Sequence, residues 1–116
     1  MDLNEIQEVI ATRELSLDEP QGITRKVTVS IGKPEPFPDA EGCYCPFQIL
    51  GIGSETVKYA AGIDAVQALQ LVMIMIGATL QFLTKEIGGN LKWDGNSPSD
   101  FGFPISNPND MLRRVL

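Results

Sequence analysis

Hydrophobic and polar positions alternate along the first half of the chain, and the period then changes. In the first run Ala11, Arg13, Leu15 and Leu17 alternate with Thr12, Glu14 and Ser16, and Arg13 is the one charged member of the apolar row. The second run is cleaner: Val27, Val29 and Ile31 face one way, Lys26, Thr28 and Ser30 the other. Successive side chains of a strand point to opposite faces, so strict alternation with β-branched residues predicts a half-buried antiparallel strand. A third run sets Cys45, Phe47 and Ile49 against Tyr44, Gln48 and Leu50. A fourth places Val57, Tyr59 and Ala61 inward, with Thr56 and Lys58 outward. Turn residues separate the runs, at Asp18-Glu19-Pro20-Gln21-Gly22 and Gly51-Ile52-Gly53-Ser54. Between the second and third runs, Pro34, Pro36 and Pro38 exclude a helix interior or a central strand and predict an extended loop. Short connections favour antiparallel neighbours, so the expectation is a four-stranded antiparallel meander with one apolar face.

From Asp64 to Gly89 the period becomes helical. Ala65 to Leu83 holds no charged residue, and its polar side chains are Gln67, Gln70, Thr79 and Gln81. Asp64 suits an N-cap with Gln67 three residues on, and Gly88-Gly89 suits a C-terminal stop. Ala65, Leu69, Val72, Ile76, Leu80, Leu83 and Ile87 form a stripe that should lie on the sheet. So apolar a helix is expected to be covered on nearly every side. Its opposite face is apolar in the middle, at Leu71, Ile74, Met75 and Ala78, and two covers suit that patch: the C-terminal segment with Leu91, Trp93, Phe101, Phe103 and Ile105, or a second subunit. After the helix, residues 91–94 read as a short strand, 96–100 as loop, and 111–116 as a helical turn or a frayed end. The architecture expected is α+β: the meander, one long helix across one face, and an irregular C-terminal segment, as one domain over residues 1–116.

Composition narrows the functional classes. A formal charge of −6 opposes the basic footprint that nucleic acid requires and opposes attraction to anionic lipid. The uncharged span is about as long as a bilayer crossing, yet three glutamines dilute it and its flanks lack a Lys/Arg asymmetry, so no membrane role is expected. The N-terminus shows no basic start followed by an apolar run, and with only two cysteines the expected compartment is the cytoplasm.

Chemistry is sparse. The chain has no histidine, which removes Ser-His-Asp and Cys-His nucleophilic sites and the commonest metal ligand. Cys43 and Cys45 would share one strand face, but two thiols do not complete a zinc site, and they read as small apolar strand residues. The carboxylate pairs Asp39 with Glu41 and Asp94 with Asp100 fall in loops and read as solvated turn residues. Gly51-x-Gly53 precedes a strand, not a helix, so it is no phosphate cradle. No catalytic residue, metal or cofactor is therefore expected. Aromatic residues in loops, Phe37, Tyr44, Trp93 and Phe101, are the better candidates for contact with a partner.

The phrase Gly62-Ile63-Asp64-Ala65-Val66-Gln67-Ala68-Leu69, with Ile31-Gly32-Lys33-Pro34 and Cys45-Pro46-Phe47, resembles a family of small uncharacterised bacterial single-domain proteins. The resemblance spans most of the chain and implies a bacterial cytoplasmic domain of unknown function. It brings no catalytic residues.

The functional expectation is a non-enzymatic protein-interaction module of the acidic inhibitor or immunity type, or one that self-associates. Its contact residues are Phe37, Tyr44, Leu71, Ile74, Met75, Trp93 and Phe101. The alternative is a small-molecule binder or carboxylate-based enzyme with a pocket between the helix and the Pro34–Cys45 loop.

Overall fold

Strand β1 (Val9–Asp18) and strand β2 (Thr24–Gly32) form an antiparallel hairpin in which Arg13 lies opposite Val29 and Leu15 opposite Val27. The computed structural model describes residues 3–93 and 101–104. The expected Asp94–Asp100 pair, the 96–100 loop, Ile105 and the turn at 111–116 lie outside those residues.

A two-residue strand, β3 (Glu35–Pro36), follows within the proline-rich segment. Strand β4 (Cys43–Leu50) then pairs with β2, Phe47 against Ile31 and Ile49 against Val29. Strand β5 (Lys58–Gly62) pairs with β4, Cys45 against Ala60. The four expected runs thus form the expected meander, β1-β2-β4-β5. The sheet has six strands, not four. The first addition is β3, which pairs with Cys43 and Tyr44; β5 covers the same residues from the other side, so β3 prolongs the edge of β4 used by β2. The second, β6 (Asn90–Lys92), pairs with Ser16–Asp18 on the free edge of β1. The short strand expected at 91–94 is thus β6, displaced by one residue, while β3 falls in the segment expected to be an extended loop and is too short for alternation to reveal.

The helix α1 (Ala65–Ile87) joins β5, at one side of the sheet, to β6 at the other. Its ends are built as the sequence implies. The Asp64 carboxylate accepts from the Gln67 N–H at 2.9 Å, and the Gln67 side chain accepts from the Ile63 N–H at 2.7 Å. At the far end Gly88 takes a left-handed conformation, φ 77°, and donates to the Thr84 carbonyl at 2.9 Å. The fully buried side of α1 is Ala68, Val72, Ile76 and Leu80, with Leu69, Met73, Leu83 and Ile87 packed beside it. These residues meet Leu15, Leu17, Val27, Val29, Ile31, Cys45, Phe47 and Ile49 from the sheet. Each fully buried Leu, Ile, Val or Phe contributes about 1.5–3 kcal/mol.

Two expectations are corrected. The first is the cover on nearly every side of α1. One sheet can cover only one side of one helix, and the residues facing away from it are exposed. The second is the face of β5. Ala60 points into the core, and Tyr59 and Ala61 point out. The cause is the close seat of the first helical turn on this strand: a Cβ on Gly62 would run into the backbone of Ala68. Only small side chains fit there, so the register turns Tyr59 away.

The outer face of the sheet is also less polar than expected. The N-terminal segment crosses it, with the Glu8 carbonyl accepting from the Lys33 N–H at 2.9 Å. Ile6 and Pro46 close over Gly32 so tightly that a Cβ there would sit 2.6 Å from each. Pro46 is buried as a result.

Candidate functional site

The side of α1 turned away from the sheet carries a second apolar row. Leu71, Met75 and Phe82 are 40%, 39% and 62% exposed. Ala78 is exposed between them and Ile74 is partly covered beside them. At about 100° per residue, positions 71, 75, 78 and 82 fall within an arc of about 60°. Ile63 and Val66 are also exposed at the start of the helix, but Val66 lies about 150° round the helix from this row. No charge interrupts the row between Asp64 and Lys85. The fold gains little from these side chains, because the core is filled from the opposite side of the helix.

The other candidate residues fall in two further places. Phe37 and Tyr44 come together on the outer face of the sheet, ring centroids 5.3 Å apart, and Tyr59 joins them at 6.0 and 5.9 Å. Tyr59 escapes the sequence reading because that reading turned β5 over. Trp93 and Phe101 belong to a clasp around Arg13. The guanidinium carbon lies 4.0 Å from the Trp93 ring centroid and 4.9 Å from that of Phe103. Arg13 also donates to the Phe101 carbonyl at 3.2 Å and the Gly102 carbonyl at 2.8 Å. Phe101 and Phe103 are buried; Phe103 lies beside Gly77 of α1. The described part of the C-terminal segment therefore seals a flank of the helix and leaves Leu71, Met75 and Phe82 open. Phe82 was legible: it repeats the 71, 75, 78 spacing one turn on.

A family model for a domain of unknown function, DUF6968, matches residues 11–105, from the start of β1 past the clasp. The chain belongs to the DUF6968 family. No curated protein and no solved structure matches it.

This DUF6968 domain also has a depression where the alternative reading places a pocket. It is open, about 440 Å³, and lies between Phe37, Glu41 and Gly42 of the loop and Ile63 and Gln67 of the helix start. Glu41 and Asp39 are exposed, and the Gln67 side-chain oxygen is already engaged by Ile63. Among the described residues no group of three or more His, Cys, Asp or Glu could hold a metal ion. Cys43 and Cys45 are free thiols. The Cys45 Sγ–H donates to the Gly32 carbonyl at 3.3 Å, and burial pushes its pKa up to about 11, away from nucleophilic use.

By length and composition α1 would reach across a bilayer, as does the core helix of many soluble folds; here one side of it packs on the sheet.

Proposed function

We propose that this DUF6968 domain is a protein-interaction module that grips its partner with the outer face of α1. The observation that carries the reading is the exposed row Leu71, Met75, Ala78 and Phe82. Single exposed apolar residues are ordinary, but a continuous row on a regular element marks an interface. A rigid, capped helix loses little conformational freedom on docking, so its apolar area is converted efficiently into affinity. Because the row is uncharged, the acidity of the chain governs which partners are repelled, while the row itself selects an apolar surface.

The test is capture from extracts of the native host with wild-type protein and with Leu71→Glu/Phe82→Glu. Wild type is expected to retain an associated protein, its own second copy included, that the double variant loses. Equal retention by both, or none by either, refutes the reading. The depression beside Phe37 supports a small-molecule reading less well, since its carboxylates are exposed and nothing buried and polar converges on it.

A further inference from the structure

We infer that Met73 is an oxidation site, and that its conversion to the sulfoxide by hydrogen peroxide draws Arg13 off the clasp and loosens residues 101–104. The inference is independent of the interaction reading above, which concerns another side of α1.

Met73 lies on the flank of the helix that the clasp seals. Gly77, one turn on, is the residue that Phe103 lies beside. Met73 is half-buried and packs against the core. A crevice of about 140 Å³ opens between it and β1, and Thr12, Arg13, Gly102 and Phe103 share its walls. A water molecule takes up about 30 Å³ of liquid volume, so the crevice has room for a peroxide molecule. Hydrogen peroxide is uncharged, and the −6 charge of the chain does not repel it. A lone pair of the Met73 sulfur attacks one peroxide oxygen and the O–O bond breaks. Hydroxide leaves and takes up the remaining proton as water. The sulfur is oxidised by two electrons and the peroxide is reduced.

The product changes the chemistry of the crevice. A thioether suits an apolar wall, whereas a sulfoxide oxygen in the same place needs a hydrogen-bond donor. Thr12 offers a neutral hydroxyl. Arg13 offers a charged donor, and charge-assisted bonds are the stronger kind. The same guanidinium holds the clasp, donating to the Phe101 and Gly102 carbonyls at 3.2 and 2.8 Å and stacking on Trp93 at 4.0 Å. Its fork of donors is planar and rigid, so turning it towards the sulfoxide turns it away from these groups. The clasp has no slack with which to follow. A Cβ on Gly102 would run into both the Trp93 ring and the Arg13 guanidinium. Met75 supplies the contrast: it is 39% exposed on the outer row, and a sulfoxide there is solvated without touching the clasp.

The test treats the full chain with dilute hydrogen peroxide and follows peptide masses and Trp93 emission together. Peptide mass assigns each added oxygen to its sulfur, and Trp93 is the sole tryptophan. Met75 is expected to oxidise first with the emission unmoved, and a red shift then follows the oxidation of Met73 at the same rate. The shift is absent in Met73→Leu and kept in Met75→Leu. Arg13→Met, which lacks the guanidinium, emits at the red position before treatment and moves no further. A Met73 still unmodified when Met75 is fully oxidised overturns the site. A modified Met73 with unmoved emission, or a shift that persists in Met73→Leu, overturns its hold on the clasp. A further shift in Arg13→Met overturns Arg13 as the group that carries the change.

Discussion

Arg13 was the misfit in the apolar row of β1, and its replacement by Met is the most informative perturbation of the fold. Met keeps the apolar stem and removes the guanidinium. That group stacks on Trp93 at 4.0 Å and reaches Phe103 at 4.9 Å. A part-desolvated cation–π contact contributes about 1–2 kcal/mol, and the longer second contact about 0.5. The two carbonyls of Phe101 and Gly102 lose a charged donor, at about 1 kcal/mol each. Against this stand the rotamer freedom regained, about 0.5–1 kcal/mol beyond what Met itself loses, and the desolvation of the cation, which together remove a good part of the gain. The net expectation is a loss of about 2 kcal/mol, a factor near 30 in the folding equilibrium. At this chain length that lowers Tm by about 8 °C. Trp93 is the sole tryptophan, so its emission reports the clasp directly and should shift to the red as residues 101–104 release the ring. A Tm within 2 °C of wild type together with unshifted emission would refute the assignment of Arg13 as the residue that ties the C-terminal segment to the sheet.

Three further outcomes follow from the same physical reasoning. Gly62→Ala forces a methyl group into the backbone of Ala68 and should cost about 1–3 kcal/mol in chemical denaturation, whereas the outward Ala61→Ser should leave the midpoint unchanged; equal effects would mean the helix start is not seated on β5. Asp18 is held below its ordinary carboxylate pKa by hydrogen bonds from Lys92 and Thr24 and by the Lys92 charge. A depressed folded pKa stabilises above the unfolded value, about 4, and the effect vanishes as pH falls through the folded value. The Tm gap between wild type and Asp18→Asn should accordingly be present at pH 6 and close towards pH 2, and a gap independent of pH counts against this account. With a thiol reagent at pH 8, part-exposed Cys43 should react ahead of Cys45, which waits on unfolding; simultaneous labelling in native buffer would contradict the burial of Cys45.

The long strands and the helix were legible because their periodicity extends over many residues, and Asp64, Gln67 and Gly88 announced both helix ends. The turned face of β5 was not legible from alternation, because both of its rows hold apolar side chains and the deciding contact, Gly62 against Ala68, comes from an element that follows it. A short strand after the helix was legible at 91–94, but its partner was not: β6 pairs with β1 because α1 delivers the chain to that open edge. Arg13 looked like a flaw in a core row, since the sequence does not display which rings will surround a cation. Of the candidate site, Leu71, Ile74 and Met75 were read from helical spacing. Phe101 has the sequence setting of a loop aromatic yet lies in the core, because a segment without regular structure stays ordered by burying its rings.

The link from β5 through α1 to β6 has a mechanical consequence. The two outermost long-range attachments of the sheet hang on one rigid rod, so neither margin can peel away without straining the other through it. Fraying, which in an open sheet begins independently at each side, is here coupled across the full width, and amide protons of β6 and β5 should exchange with a shared opening rate despite the three strands that separate them.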